Sequence, residues 1–232
     1  MRRVNYLDVH ELLMKEGNIF QFILASDPLF HNNKEKLVLE KGEWINQKDS
    51  QYIYILESGI LAQLIGRNDV RKQIICTSFL TKDNIILNKK FSQNEKFDFS
   101  AITRATLVRI ETSIVLEILE KTPFFTDVLL EIIHDLNQRE YIFSSQFQYQ
   151  IKDRVILLLK KLALELGIKN GEKHILPRGI TSYYIAAYCG CTRQSAIKIL
   201  NHLEEEQLIR YKHCPIEIFD IKELANISLE TV

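Results

Sequence analysis

The sequence predicts an α+β fold: an N-terminal β jelly roll, a long dimerisation helix and a C-terminal winged helix-turn-helix. Three observations predict it. Between Leu37 and Ile110 the chain reads as short segments rich in Ile, Val, Tyr, Phe and Thr, separated by glycine-bearing turns. After Glu111 the apolar spacing becomes helical, and no Gly or Pro interrupts it from Phe124 to Leu166. Residues 181–206 then read as two short helices around a tight turn.

Composition sets the bounds. The chain has 232 residues, 46% hydrophobic and 26% charged, so it is neither disordered nor fibrous. At ~100–200 residues per domain this length admits one large domain or two modest ones. No apolar stretch reaches the ~18–20 residues of a spanning helix. Met1–Asp8 opens no secretory apolar region, so a cytoplasmic protein without a membrane partner is expected. Thirty Lys and Arg balance thirty Asp and Glu, so any nucleic-acid surface must be a local patch. The four cysteines, Cys76, Cys189, Cys191 and Cys214, are too few and too unevenly spaced for a disulfide scaffold.

The elements follow in order. Leu7–Ala25 reads as one or two short helices, with Asp8 or Asn18 as N-caps. Strands are expected at Leu37–Glu40, Tyr52–Leu56, Ile60–Ile65, Lys72–Phe79 and Asp98–Ile110. Turns are expected at Lys41-Gly42 and Ser58-Gly59, with a hairpin loop at Gly66–Asp69. Residues 1–111 thus form the first domain, a β-sandwich or jelly roll. Thr112–Lys121 is a short helix closed by Thr122-Pro123. In the long helix that follows, Phe124, Phe125, Val128, Leu129, Ile132, Ile133 and Leu136 recur at helical spacing, continued by Ile142, Phe143 and Phe147. So long a helix should break near Gln150–Lys152, which makes 112–150 the middle segment and 151–232 the last domain. Ile151–Leu166 is its first helix, ended by Gly167. The wide stripe fits a core face and a coiled-coil-like dimer seam equally; the seam would use Phe125, Val128, Leu129, Ile132, Leu136 and Phe143.

The segment from Thr181 carries the functional signal. Thr181 caps a first helix in which Ile185 and the small Ala186 face inward. Gly190 supplies a left-handed turn position. Thr192 caps a second helix with Ser195 and Ala196 in its first turn and Ile197, Leu200 and Leu203 on its buried face. Arg193, Gln194 and Lys198 are left outward, where a helix-turn-helix reaches base edges in the major groove. Arginine suits guanine and glutamine suits adenine. From Arg178 to Leu203 there are three basic residues and no acidic one. Leu208–Tyr211 and Ile216–Phe219 then read as a β-wing, from which Lys212 would touch phosphate. The bland alternative is a helical hairpin that binds no DNA.

Other chemistry finds little support. A Cys189/Cys191/His213/Cys214 zinc site is poorly spaced, and Cys76 or His31 as a haem ligand rests on a lone side chain, so no metal or cofactor is expected. A thiol switch at Cys189 or Cys214, near the DNA face by chain position, has no supporting motif. There is no phosphate-binding Gly-x-x-x-x-Gly-Lys loop and no Gly-x-Ser-x-Gly elbow, so an enzyme with catalytic residues is not expected.

The chain resembles the Crp/Fnr superfamily of bacterial transcription regulators across residues 30–225. The resemblance is carried by Gly190-Cys191-Thr192-Arg193-Gln194-Ser195, Leu203 with Leu208-Ile209, Lys41-Gly42-Glu43, Tyr52–Gly59 and Asp153-Arg154-Val155. It implies a homodimer on a near-palindromic stretch of double-stranded DNA. Arg193, Gln194 and Lys198 would read bases, with Thr181, Ser182, Thr192 and Ser195 near the DNA backbone. Many members have an acid where Gln194 stands and an arginine where Lys198 stands, so the half-site cannot be carried over. The cyclic-nucleotide cassette of the family has a Gly-Glu pair and an arginine. Thr81–Phe91 has neither, leaving only Lys89 and Lys90 to meet an anion, so control by cyclic nucleotide is not expected. An effector, small molecule or peptide, is left open, as is RNA polymerase contact if the protein is an activator. Two rivals remain: an interaction or sensory module with a degenerate helix-turn-helix, and a cyclic-nucleotide-responsive regulator with an unusual cassette.

Overall fold

A computed structural model describes residues 19–45, 51–66, 74–87, 97–212 and 215–227. The expected caps Asp8 and Asn18, the Arg67–Asp69 part of the hairpin loop, Lys89, Lys90, His213 and Cys214 lie outside them.

Among the described residues, two short helices, α1 (Ile19–Ser26) and α2 (Pro28–Asn33), precede the strands. The junction is local chemistry: the Asp27 carboxylate accepts the Leu29 N–H at 2.8 Å, and Pro28 occupies a first-turn position that needs no donor. The described strands that follow are β1 (Glu35–Leu39), β2 (Tyr52–Ser58), β3 (Leu61–Ile65), β4 (Ile75–Leu80), β5 (Ile85–Leu87), β6 (Asp98–Ala101) and β7 (Ala105–Glu111). They form two antiparallel sheets, β1-β7-β2-β5 and β4-β3-β6. The run Tyr52–Leu56 is apolar throughout because β2 is buried on both faces. Tyr54 and Leu56 enter the sandwich interior with Leu61, Leu80, Phe99 and Leu107. Ile53 and Ile55 point the other way, under α1 and α2, against Phe20, Leu24 and Phe30.

The expected single strand Asp98–Ile110 is two strands in different sheets. β6 pairs with β3, whereas β7 pairs with β1 and β2. The chain crosses between sheets at residues 102–104, and Gly59 permits the crossing. It holds φ +91°, and a Cβ there would lie 2.4 Å from the Arg104 carbonyl oxygen. The Thr103 hydroxyl accepts the Ile60 N–H at 3.0 Å.

Helix α3 (Thr112–Glu120) leads to α4 (Phe125–Ser145), which closes in a 3₁₀ turn at Gln146–Gln148. Tyr149 and Gln150 are extended, and α5 (Ile151–Leu166) starts at once. Gly167 ends α5 without the expected left-handed conformation: its φ is −70°. Glycine is needed there for space, since a Cβ would sit 2.4 Å from the Ala163 carbonyl oxygen.

The stripe on α4 divides. Val128 is fully buried in the chain's own core, so it is not available to a dimer seam. Phe125 and Ile132 pack half-buried against the same cluster, and Phe143 packs against the C-terminal core. Leu129, Leu130, Ile133 and Leu136 stay exposed, at 39%, 61%, 52% and 42%.

The C-terminal domain adds α6 (Ser182–Cys189), α7 (Arg193–Glu205) and α8 (Ile221–Ile227). A four-stranded sheet, β10-β11-β9-β8, comprises β8 (Ile168–Asn170), β9 (Lys173–Ile175), β10 (Ile209–Arg210) and β11 (Glu217–Ile218). One core cluster runs across the domain boundary. Ile60, Ala62, Leu64, Cys76, Phe79 and Ile102, on the outer face of the second sheet, pack with Val155, Ile156, Ile185, Ala186 and Tyr188. Both outer faces of the sandwich are therefore covered, one by α1–α4 and one by the C-terminal domain.

Candidate nucleic-acid interface

Helices α6 and α7 are set by the turn between them. Gly190 is left-handed (φ 63°, ψ 38°), and its N–H and that of Cys191 both reach the Ala186 carbonyl. Cys191, 5% exposed, fills the packed small-residue position of the turn. The Thr192 hydroxyl accepts the Ser195 N–H at 3.1 Å and contacts the Ser195 hydroxyl at 2.9 Å, which starts α7. Ala196, Leu200 and Leu203 are fully buried, while Ile197 is only half-buried.

The opposite face holds Thr192, Arg193, Gln194 and Lys198, all exposed. Among the described residues no acid pairs with Arg193 or Lys198. The first turn of α7 contains no acidic residue and offers its free N–H groups and positive dipole end outward. The neutral net charge thus conceals a locally cationic surface.

Of the expected backbone contacts, Ser182 is buried, whereas Thr181 and Lys212 stay exposed. Ser182 is 4% exposed and lies under Arg193, whose Nε donates to its hydroxyl at 3.2 Å. Ser182 is therefore a support for Arg193 in this conformation, not a free phosphate donor. Thr181 stands at the N-cap of α6, exposed, but its side chain makes no capping bond. Lys212 is 66% exposed, yet its ammonium is 3.5 Å from the Glu204 carboxylate.

Glu204 was not singled out by the sequence. Its carboxylate accepts the N–H of Tyr211 at 2.8 Å and of Lys212 at 3.0 Å, clasping the wing to the end of α7. Those bonds, the Lys212 N–H foremost, hold its carboxyl below the ordinary carboxylate range. The only sequence signal was an acid at the end of a helix just before the wing.

The thiols of Cys76, Cys189 and Cys191 face inward. Cys189 is fully buried, not at the DNA face, and burial pushes its thiol up to about 12. Burial raises Cys76 still further. Such thiols are inert packing groups. Among the described residues no group of three or more His, Cys, Asp or Glu side chains is arranged to hold a metal, and no helix is long and apolar enough to cross a membrane.

Comparison with known proteins agrees with this geometry. Residues 153–227 match the family described as the Crp-like helix-turn-helix domain. The whole chain is similar to a cyclic nucleotide-binding domain containing protein from Listeria monocytogenes EGD-e. That match has TM-score 0.70 and 24% identity, and covers 88% of this chain and 97% of that one. It is also similar to FixK2 from Bradyrhizobium japonicum (TM-score 0.70, 12% identity, 84% and 97% covered). A CRP/FNR family transcriptional regulator from Thermus thermophilus gives TM-score 0.65 at 19% identity, with 83% and 98% covered. No curated protein sequence matches. The C-terminal segment is thus a Crp-like helix-turn-helix domain. The chain as a whole has the fold of the Crp/Fnr-type transcriptional regulators, with an N-terminal β domain, intervening helices and a C-terminal helix-turn-helix.

Proposed function

We propose that the protein is a sequence-specific DNA-binding transcription regulator that binds a near-palindromic operator as a homodimer. The observation that carries this reading is the exposed first turn of α7. Arg193, Gln194 and Lys198 project from a helix whose other face is locked into the core. Docked in the major groove, this turn brings Arg193 and Gln194 to base edges and Lys198 further along the same face. Thr192, Ser195 and Thr181 flank it on the phosphate side, and Lys212 reaches phosphate by leaving Glu204. The exposed row Leu129, Ile133 and Leu136 supports a two-fold seam along α4. The solved CRP/FNR neighbour is a transcriptional regulator, and the proposal assigns no catalytic residue.

Two features favour control without cyclic nucleotide. The sandwich interior holds Tyr54, Leu56, Phe99 and Leu107, with apolar side chains meeting across it. The Thr81–Phe91 stretch carries neither the Gly-Glu pair nor an arginine.

Selection from a random duplex pool with purified protein and no effector tests the proposal. A recovered palindrome with two equivalent half-sites supports it. Recovery of no sequence, with and without cell extract, overturns it. Micromolar calorimetric binding of cyclic AMP or cyclic GMP would overturn the nucleotide-independent part.

A further inference from the structure

The last turn of α6 is held from outside its own helix, by one residue of α5 and one at the end of α4. A helix leaves its final carbonyls without internal partners. Ala186 supplies its carbonyl to the turn itself, but the next orphans are met elsewhere. Gln146, at the end of α4, donates from Nε2 to the Tyr188 carbonyl at 3.1 Å. Arg154, in the first turn of α5, donates from Nη1 to the Cys189 carbonyl at 2.7 Å and from Nε to the Tyr149 carbonyl at 3.0 Å. Its guanidinium lies 5.1 Å from the centre of the Phe147 ring. The Tyr188 ring stacks on Phe79 of β4 at 5.6 Å and meets Phe143 of α4 edge-on at 5.7 Å. Gly190 leaves room for Phe147: a Cβ there would lie 2.8 Å from its ring.

One detail separates a positioning role from simple packing. Gln146 is 7% exposed, and its Oε1 has no hydrogen-bond partner among the described residues. Burying an unpaired amide oxygen is unfavourable. An apolar side chain of the same length would avoid that cost. What it could not do is tie α4 to the carbonyl of Tyr188.

We infer that Gln146 and Arg154 are positioning residues that fix the reading helix at one angle to α4, and so set the half-site spacing the dimer accepts. The inference rests on the dimeric DNA-binding reading above. Gly190, Cys191 and Thr192 follow directly from the clamped carbonyls, so the start of α7 inherits its direction from this junction. In a dimer paired through α4, both heads would take the same pose relative to the two-fold axis. Adding one base pair rotates a half-site by roughly 35°, since DNA has ~10.5 base pairs per turn. A rigid junction cannot follow that rotation, whereas a loosened one can.

The experiment compares wild type, Gln146→Met and Gln146→Met/Arg154→Met on operators whose half-site separation is changed by one base pair at a time. A duplex with a single half-site is the reference. Wild type should prefer one spacing by about tenfold over its neighbours, the scale of a single mismatched contact. The double variant should flatten that preference to within about threefold and bind the single half-site as wild type does. Gln146→Met alone should relax it partly, because it removes the donor to the Tyr188 carbonyl while Arg154 still holds that of Cys189. A variant that folds, binds and keeps the sharp preference overturns the inference alone. Loss of single half-site binding in step with the operator also overturns it, by making the junction a support of the head's fold. A wild type that binds no operator overturns the dimeric reading and this inference with it.

Discussion

Replacing Gly190 with alanine strikes the helix-turn-helix at its most constrained position, and the cost can be worked from two sources. An L-residue at φ 63° pays about 1–2 kcal/mol for the left-handed conformation. The added Cβ would also lie 2.8 Å from Phe147 Cε1, a contact that must be relieved by moving the ring or the turn. Overpacking of this kind costs typically ~1–3 kcal/mol, and the half-exposed Phe147 ring places it at the lower end. The expected total is about 2–4 kcal/mol, or a fall in melting temperature of roughly 5–15 °C at ~2–4 °C per kcal/mol for a chain of this size. Calorimetry of Gly190→Ala, Phe147→Ala and the double variant separates the two sources. In the Phe147→Ala background the steric part vanishes, and Gly190→Ala should cost only the conformational ~1–2 kcal/mol. If Gly190→Ala melts within a degree of wild type, or costs the same in both backgrounds, the reasoning about this turn is wrong.

The remaining predictions concern the cap, the wing, the seam and the thiols. Thr192→Ala should lose about 1 kcal/mol, read by denaturant unfolding, because the Ser195 N–H loses its acceptor. Glu204 has a folded-state pKa below its ordinary 4.5, so its contribution is full above that value and is lost as pH falls through the depressed one. Acid unfolding of Glu204→Gln should accordingly be shallower below about pH 4.5 than that of wild type, and parallel curves would contradict the clasp. Ile133→Glu should give a folded monomer in sedimentation, whereas Val128→Glu should unfold the chain, since Val128 belongs to its own core. Cys76 and Cys189 should resist iodoacetamide at pH 8 in a Cys191→Ser/Cys214→Ser background until denaturant opens the shared core; fast native labelling would refute their burial.

The parts of the fold that were legible are those whose signals are local. Gly190 and Thr192 announce the turn because only certain residues hold a left-handed φ or cap a helix. The spacing of Phe125 to Leu136 announces α4 because a helix face repeats by three and four. The break before Ile151 came from length alone. What escaped depends on contacts distant in sequence. The sheet switch at residues 102–104 has no Gly or Pro of its own; its glycine, Gly59, sits on another segment. Strands β8 and β9 are three residues each, too short to show a period. That Val128 faces the core while Leu129 faces solvent is decided by where α1 and β7 lie. Ser182 and Arg193 are eleven residues apart, and nothing in either neighbourhood says that one covers the other. Cys189 looked close to the DNA face by chain position, but the helix turns it toward Cys76 and the sandwich.

The central claim is that the outward turn of α7 reads DNA. Fluorescence anisotropy on the selected operator, with wild type and Arg193→Glu/Lys198→Glu, tests it most directly. Both side chains are exposed and without acidic partners among the described residues, so the reversal should leave the fold and the proposed α4 seam intact. Wild type should bind with an affinity that falls steeply as salt rises, and the reversed variant should lose about a hundredfold or more at the same melting temperature and dimer mass. Equal binding by the two proteins would place the DNA surface elsewhere and contradict the account.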